Sequence, residues 1–313
     1  MDLTRREWLA LAPAAVGMPL AAPSPAAKAA DRPPEEPFLY GLNTSTLRGY
    51  QLPITKVIDL AAQAGYHGLE PWVREIDAHV QAGGAPEDLA KRIQDRGLSV
   101  ESAIGFFEWA VDDEAQRQKG FEEARRSMDL VRRIGGRRLA APPSGATDRS
   151  DIDPRRLAER YRALLELGDA MGVIPEVEVW GFSKTLQTLG EAALVALNSG
   201  HPKACLLPDV YHLYKGGSSF ETIPLLSGRA IPVFHFNDYP ASPPRATITD
   251  AHRVYPGDGI APLKTLVRDL RTIGFQGMLS LELFNKEYWK QEPLTVARTG
   301  LEKMRAVVRS SLA

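Results

Sequence analysis

The chain has 313 residues, with 38 Lys plus Arg against 39 Asp plus Glu and a formal net charge of −1. A hydrophobic content of 44% and a charged content of 25% are ordinary for a globular protein, which excludes disorder, collagen-like repeats and a coiled coil. The near-zero charge disfavours a nucleic-acid partner, because no net positive field exists to attract phosphates. The single Cys205 excludes an intramolecular disulfide framework and a cysteine-based zinc site.

The N-terminal residues predict an export signal. The pair Arg5-Arg6 is typical of twin-arginine signals, an Ala-rich apolar stretch follows, and Ala27-Lys28-Ala29 is a small-x-small cleavage pattern. We therefore expect residues 1–30 to be a cleavable signal peptide for the twin-arginine export machinery, which makes the mature protein periplasmic or secreted. Residues 31–37 are interpreted as a Pro-rich linker. The apolar run is short and contains proline, which argues against a stable membrane anchor. The alternative is a short amphipathic or disordered N-terminus.

From residue 38 onward, short β-rich apolar runs alternate with amphipathic helical patterns. The predicted strands cover residues 38–44, 68–73, 98–105, 137–141, 173–180, 204–210, 231–237 and 277–284. The predicted helices cover residues 54–64, 86–95, 114–134, 154–171, 186–198, 220–226, 263–273 and 294–312. Several of these helices end just before a glycine, as at Gly65 and Gly172, which is typical of a C-terminal cap.

The alternation predicts an α/β fold, a single-domain (β/α)8 TIM barrel that spans residues 38–313 after the N-terminal signal. A closed barrel of this kind typically needs about 250 residues in one domain, which agrees with the length that remains. The alternative architecture is a doubly wound open sheet. That alternative is disfavoured because no Gly-rich phosphate loop follows the first predicted strand.

The predicted barrel places acidic side chains in its interior. Reactive groups in such barrels lie at the carboxyl ends of the strands and face inward. In the strand predicted at 173–180, alternation puts Glu176 and Glu178 on one face and the intervening valines on the other. In the strand predicted at 277–284, leucines alternate with Ser280, Glu282 and Phe284, so Glu282 also faces inward.

Four consecutive strands contribute ionisable side chains at similar depth: Glu178, Asp209, His235 and Glu282. Unpaired carboxylates are costly to bury, and a divalent cation removes that cost. Three oxygen ligands and one imidazole suit Mn²⁺, Mg²⁺ or Co²⁺, with Zn²⁺ as a further option, and we take Mn²⁺ as the favoured ion. Each residue alone is better explained as a solvated loop residue or as part of a salt bridge. The prediction of one divalent metal ion therefore rests on the four together.

Five short motifs contain these residues. They are Glu178-Val179-Trp180-Gly181, Asp209-Val210-Tyr211-His212, His235-Phe236-Asn237-Asp238, Arg253-Val254-Tyr255-Pro256-Gly257-Asp258-Gly259 and Leu281-Glu282-Leu283-Phe284-Asn285. In order and strand placement they resemble the sugar phosphate isomerase/epimerase family, the xylose isomerase-like TIM barrels. The resemblance extends from about residue 38 to the C-terminus, and it is specific for the family but not for a substrate. Members include inosose isomerases and dehydratases and ketose 3-epimerases.

The resemblance implies roles for individual residues. The four ionisable residues would be the metal ligands, and two of them, Glu178 and Glu282, would also be the catalytic acid/base pair. Four further residues are expected to contact substrate, the first two by the resemblance and the last two by their position at predicted strand ends: His212, Arg253, Glu70 and Trp180.

The predicted function is that of a metal-dependent isomerase or epimerase of a sugar, a cyclitol or a keto-sugar. One carboxylate removes a proton next to a carbonyl, an enediolate forms, and the other carboxylate returns the proton. The first alternative is a lyase, a dehydratase or a 3-keto-glycoside-cleaving enzyme that uses the same site. The expected partner is a small-molecule carbohydrate and not a nucleic acid, and the resemblance also allows a homo-oligomer.

Two alternatives from other classes are weaker. A DNA-repair enzyme similar to endonuclease IV would need a cluster of metals with additional His ligands and a basic track for DNA. The chain has only 6 His residues and no net positive charge. A non-catalytic carbohydrate-binding barrel would not need an acid/base pair, whereas both Glu178 and Glu282 are present.

Overall fold

The computed structural model describes residues 36–313, so the predicted signal peptide and residues 31–35 of the predicted linker lie outside the described residues. Seven short strands are found in the described part of the chain: β1 (Leu39–Asn43), β2 (Gly68–Glu70), β3 (Arg138–Ala141), β4 (Ile174–Glu178), β5 (Leu206–Leu207), β6 (Val233–His235) and β7 (Met278–Leu281). Every ladder between them is parallel.

The strands close into a barrel. One sheet has the order β2-β1-β7-β6 and the other has the order β3-β4-β5. Residues 99–104 join β2 to β3, through bridges to Gly68 and Trp72 on one side and backbone hydrogen bonds to β3 on the other. A bridge between Asp209 and His235 joins the end of β5 to β6. The predicted α/β barrel is therefore confirmed, with residues 99–104 in the place of the third strand.

The strand predicted at 98–105 is not a continuous strand. Its backbone hydrogen bonds alternate between its two neighbours: Ser99 N–H donates to His67 O at 3.0 Å, Ala103 N–H to Arg138 O at 3.2 Å, and Ile104 N–H to Pro71 O at 2.9 Å. Since no run of consecutive bonds forms on either side, the segment follows the barrel without a regular ladder.

Nine α-helices are found in the described residues: α1 (Ile54–Ala64), α2 (Val73–Gln81), α3 (Pro86–Asp95), α4 (Glu114–Arg133), α5 (Pro154–Met171), α6 (Leu189–Asn198), α7 (Val210–Gly216), α8 (Leu263–Thr272) and α9 (Pro293–Leu312). The helix predicted at 220–226 is a 3-10 helix, Phe220–Leu225, with Pro224 inside it. The sequence analysis did not predict α2 or α7. None of the described helices is both long and apolar enough to span a bilayer.

Helix α7 corrects the strand predicted at 204–210, which ends at Leu207. Asp209 is the N-cap residue, and its carboxylate accepts the backbone N–H of His212 at 2.8 Å. A side-chain cap of this kind satisfies a donor that the first helical turn leaves free, so the chain turns into a helix directly after Asp209. His212 consequently lies in the first turn of a helix and not at a strand end.

Apolar side chains pack the interior of the barrel. One cluster of buried side chains comprises Trp72, Ile104, Ala140, Leu207, Val233 and Met278. A Cβ atom on Gly41 would overlap the Met278 sulfur, so the glycine on β1 gives Met278 its space. A larger apolar cluster packs the helices against the strands. The ionisable side chains predicted from the sequence lie at the carboxyl ends of the strands.

Candidate active site

The ends of β5, β6 and β7 bring Asp209, His235 and Glu282 together. One ligand atom from each residue lies within 4.8 Å of the others, and all three side chains are buried. His235 Nδ1 is 3.4 Å from Asp209 Oδ2 and 3.3 Å from Glu282 Oε2, yet it makes no hydrogen bond of good geometry. Two carboxylate oxygens and an imidazole nitrogen that face one another are a donor set that suits a divalent cation. We call these three residues the donor cluster.

Glu178, the fourth predicted ligand, ends β4 and lines the same cavity as Glu282. It is not part of the donor cluster, and the structure places it on the adjoining strand. Its Oε2 is buried and has no hydrogen-bond partner within residues 36–313. Burial raises the pKa of Glu178 well above its ordinary value; His235 opposes this rise and the negative charge of Glu282 adds to it. A buried acceptor without a donor is the state of a carboxyl that needs a proton or a cation.

Glu70 lies behind the His235 ring. His235 Nε2 is 3.1 Å from Glu70 Oε2, and the same oxygen accepts hydrogen bonds from Asn43 Nδ2 at 2.8 Å and Ser280 Oγ at 2.6 Å. Glu70 is fully buried and is not among the residues that line the cavity, so its predicted substrate contact stays a prediction. Glu70 thus faces the imidazole nitrogen that points away from the donor cluster, which is the usual place of a residue that orients a metal-binding histidine.

The negative charges around His235 determine its protonation. Burial by itself lowers the pKa of His235, but Glu70, Glu282 and Asp209 outweigh burial and raise that pKa well above its ordinary value. Burial also acts to raise the pKa of Asp209 and of Glu282. The nearby positive groups outweigh it, and the pKa of each carboxyl is lowered.

Arg253 is the other cation of the site, and it is almost fully buried. Its Nη1 donates to Asp209 Oδ2 and to Glu282 Oε2, both at 2.8 Å, while its Nη2 donates to Asp250 Oδ1 at 2.5 Å. The guanidinium therefore offsets the charge of two members of the donor cluster. The sequence analysis missed Asp250; the only signal was its position three residues before Arg253.

His212 and Arg253 act as one unit. Nη2 of Arg253 is 3.1 Å from His212 Nε2, and because a guanidinium only donates, the imidazole nitrogen accepts. Burial lowers the pKa of His212, although Asp209 opposes that effect, so the ring is held neutral. The predicted contact of His212 with substrate stays a prediction, and in this structure His212 Nε2 accepts from Arg253.

One cavity of about 360 Å³ joins these groups. It is lined by the predicted acid/base pair and by three of the four predicted substrate contacts: Glu178, Glu282, Trp180, His212 and Arg253. Residues that sequence reasoning missed complete the lining, among them Arg48, Phe182 and Lys286. These residues lie beyond the strands, so strand alternation could not identify them.

Glu176 faces inward on β4, as the alternation predicts, and lies one layer below the donor cluster. It is fully buried, and neither of its carboxylate oxygens has a hydrogen-bond partner in the described part of the chain. Burial raises the pKa of Glu176 to about 8, with Arg138 acting against the rise. The side chain does not line the cavity and belongs to the barrel interior.

Comparison with known proteins supports the barrel fold. A model of the xylose isomerase-like TIM barrel family matches residues 58–307. Inosose isomerase of Bacillus licheniformis is 28% identical over 200 residues, which cover 63% of this chain and 71% of that protein. Fructoselysine 3-epimerase of Escherichia coli O157:H7 is 24% identical over 291 residues, which cover 83% of this chain and 96% of that protein.

A solved structure shows the same fold. The crystal structure of the IOLI protein with a binding zinc atom has a TM-score of 0.81 to this chain at 20% sequence identity, and the match covers 87% of this chain and 99% of that one. Since the family model spans well over half of the 313 residues, the chain belongs to the xylose isomerase-like TIM barrel family.

Proposed function

We propose that this protein is a metal-dependent isomerase or epimerase of a sugar, a cyclitol or a keto-sugar. One observation carries the proposal: Glu178 and Glu282 line a single cavity beside the donors Asp209 and His235. The similarity to an inosose isomerase and a fructoselysine 3-epimerase favours the same class of reaction.

The residues present fit a divalent metal ion. Asp209, His235 and Glu282 would hold it, and Glu178 would supply a fourth ligand. The support is that His235 Nδ1 and Glu178 Oε2 are buried atoms without hydrogen-bond partners among the described residues, next to two carboxylates. When bound, such an ion supplies positive charge that stabilises negative charge on a substrate oxygen. We propose Mn²⁺ for the carboxylate-rich donor set, and the zinc in the similar IOLI structure makes Zn²⁺ the ion to compare.

The proton transfer is assigned to the two glutamates. Glu178 ends β4 and Glu282 directly follows β7. These strands are three apart around the barrel, so a substrate in the cavity has a carboxyl group on each side. One glutamate removes the proton next to the carbonyl, and the other returns a proton to the opposite face or to the neighbouring carbon. Arg253 would orient the substrate oxygens during the proton transfer, and Trp180 would exclude water from its side of the cavity.

Proton exchange in deuterated water tests this proposal directly. The protein, loaded with Mn²⁺ or Zn²⁺, is incubated with free ketoses, inososes and 3-keto-glycosides, and deuterium incorporation next to the carbonyl is measured by NMR. We expect Glu178→Gln and Glu282→Gln each to lower exchange by about 10²- to 10⁴-fold, the usual contribution of a general acid or base. Loss of a β-substituent in place of exchange would assign the protein to the lyase alternative.

The matched control is Glu87→Gln, a carboxylate whose partner is Arg133 on the outer helices. It should leave exchange and metal content unchanged. If both active-site variants exchange protons at the wild-type rate with the wild-type metal content, the assignment is wrong.

We also propose that the protein is exported through the twin-arginine pathway and acts on carbohydrates outside the cytoplasm. The support is the sequence pattern around Arg5-Arg6 and the cleavage pattern Ala27-Lys28-Ala29. In a bacterial host, replacing both Arg5 and Arg6 by Lys should retain the unprocessed protein in the cytoplasm, as measured by fractionation. Processing and export that are independent of both arginines would contradict the proposal.

A further inference from the structure

Rings form a circuit around the cavity, above the donor cluster. In order they are Phe284, Trp72, Phe106, Trp180, Phe182 and His212, with successive ring centroids 5.1 to 6.1 Å apart. Arg253 closes the circuit, because it contacts His212 and its guanidinium carbon lies 5.1 Å from the Phe284 ring centre. The rings come from segments that follow several of the barrel strands, so they enclose the polar site in an apolar collar.

One side of this collar extends into solvent. Phe106 is 43% exposed and Phe182 is 48% exposed, and they flank Trp180 with centroid distances of 5.9 Å and 5.1 Å. Trp72 and His212, by contrast, are only 7% and 3% exposed. All three residues of the exposed side line the cavity. We call Phe106, Trp180 and Phe182 the outer aromatic wall.

Cationic side chains also line the cavity. Arg48 and Lys286 are among the lining residues, and the Arg48 guanidinium is held over the rings of Trp72 and Phe284 at 5.1 Å and 5.5 Å. A cavity lined by aromatic rings and by cationic donors can bind a flat ring with one apolar face and polar edges. Exposed aromatic side chains that line a cavity mark a binding surface more often than a packing surface.

We propose that the outer aromatic wall is a second subsite, which stacks a second ring joined to the keto-carbohydrate at the donor cluster. The substrates would then be glycosides, with a sugar or an aryl group on the wall, and not free monosaccharides. This inference rests on the proposed function for the inner part of the cavity, and it names the substrate class.

The test compares matched substrates in wild-type protein and in the double variant Phe106→Ala/Phe182→Ala. The substrates are a 3-keto-hexose, its phenyl glycoside and its glucosyl glycoside. With the loss of two stacking contacts, we expect kcat/KM for the glycosides to fall by about 10- to 100-fold more than kcat/KM for the free 3-keto-hexose, chiefly through KM. Leu225→Ala, which removes an apolar side chain that is 85% exposed and away from the cavity, is the matched control.

The outcomes separate the inference from the proposed function. A preference of wild-type protein for either glycoside that the double variant loses supports the subsite, and the two glycosides show whether an aryl or a sugar ring stacks there. An equal loss for all three substrates means that the rings only shield the site, and overturns the inference.

If wild-type protein exchanges protons in none of these compounds, the proposed function has failed. A binding measurement then tests whether the outer aromatic wall is a subsite. Phenyl β-glucoside and glucose are then titrated by calorimetry. Tighter binding of the phenyl glucoside that disappears in the double variant supports the subsite, and equal binding of both overturns it.

Discussion

The pair Glu70 and His235 shows how buried charge prepares a ligand. An imidazole that binds through Nδ1 needs its proton on Nε2, and Glu70 Oε2 lies 3.1 Å from that nitrogen. Glu70 is itself fixed by Asn43 and Ser280, which donate to it from β1 and β7. A histidine ring held in this way presents one tautomer and one orientation to an ion at the donor cluster.

Replacing Glu70 should therefore weaken metal binding without removing any of the metal ligands. Glu70→Gln keeps the volume and loses the charge, and we expect the affinity for Mn²⁺ or Zn²⁺ to fall by about 10- to 100-fold, as for other partners of ligating histidines. Equilibrium dialysis with metal analysis measures the change. Glu87→Gln on the outer surface is the control, and wild-type affinity in Glu70→Gln would show that Glu70 does not position His235.

Strand alternation was sufficient to predict which side chains face into the barrel, including Glu178 and Glu282. It could not assign Glu70, since that role depends on hydrogen bonds from two strands far apart in sequence. The partner of Arg253 was equally hidden: Asp250 lies in a loop, where no periodicity connects a residue with the site. The local pattern thus predicts which way a side chain faces, whereas its hydrogen-bond partners depend on how distant segments come together in the fold.

At the level of elements, the loop after β4 and helix α7 approach each other through glycine. A Cβ atom on Gly181 would overlap the carbonyl oxygen of His212 and lie 2.5 Å from the Gly216 nitrogen. Both neighbours are backbone atoms, so neither can rotate away. The helix that carries His212 therefore keeps its position only because residue 181 has no side chain.

Gly181→Ala should lower the free energy of unfolding by about 1–3 kcal/mol, because it forces α7 away from the loop after β4. It should also lower activity, since His212 and the bond it accepts from Arg253 move with the helix. Chemical denaturation measures the first effect and the exchange assay the second. Gly190→Ala is the control: its Cβ would have only Thr188 Oγ1 nearby, at 4.0 Å, and should be neutral or slightly stabilising in helix α6. Equal stability of the two variants would contradict the close-approach argument.

A partly exposed ion-pair group joins α1 to α3. Asp59 Oδ2 accepts from Arg92 at 2.5 Å and Asp59 Oδ1 accepts from Arg96 at 2.8 Å, while the Asp59 side chain is 13% exposed. Burial acts to raise the pKa of Asp59, but the hydrogen bonds from the two arginines outweigh it and the pKa is lowered. The folded pKa then lies below the unfolded pKa, so the stabilisation is complete above the unfolded value and is lost as the pH falls through the folded value.

Asp59→Asn should destabilise the protein by about 1 kcal/mol at pH 7, and the difference from wild type should shrink at pH 3 and below. Urea denaturation at both pH values measures this change. Asp95→Asn, which breaks the exposed pair with Lys91, should have little effect at either pH. A difference for Asp59→Asn that is as large at pH 3 as at pH 7 would exclude the carboxylate as its source.

The prediction of whole helices and strands succeeded where periodicity was long and failed where a cap intervened. Helices α1, α3 and α5 begin and end where the pattern indicates. Helix α7 was missed because the change from strand to helix depends on one side-chain hydrogen bond, which the His212 N–H donates to Asp209. Apolar composition around that point suits a strand and a buried helix equally, so only the cap distinguishes them.

For the molecule as a whole, the number of strand–helix units predicted a closed barrel. The sequence did not show which segments join its two sheets. The joins at residues 99–104 and between Asp209 and His235 consist of isolated bridges. The second join contains two members of the donor cluster. The candidate metal site therefore lies at one of the two joins where the backbone pairing is irregular, with ligands on the strands at either side of that join.

A bound divalent ion should accordingly stabilise the fold. Asp209, His235 and Glu282 follow three adjacent strands, and an unfolded chain does not hold them together. Binding to the folded state alone, at a concentration about 100-fold above Kd, adds about 2.7 kcal/mol, which for a barrel of this size raises Tm by roughly 5–10 °C. Differential scanning calorimetry with Mn²⁺, Co²⁺ and Zn²⁺, each against a chelator, measures the shift.

Asp209→Asn separates the ligand role from the cap. Asparagine caps helices as well as aspartate does, so α7 is kept, while the anionic ligand is lost and the Tm shift should nearly disappear. Asp258→Asn, which removes a partly exposed partner of Lys303, should keep the full shift. A shift of equal size in Asp209→Asn would place the ion elsewhere on the protein, and no shift with any of the three ions would remove the metal from the mechanism. Either result would leave Glu178 and Glu282 to carry out the proton transfer without a metal ion, with Arg253 as the guanidinium that donates to Glu282 Oε2.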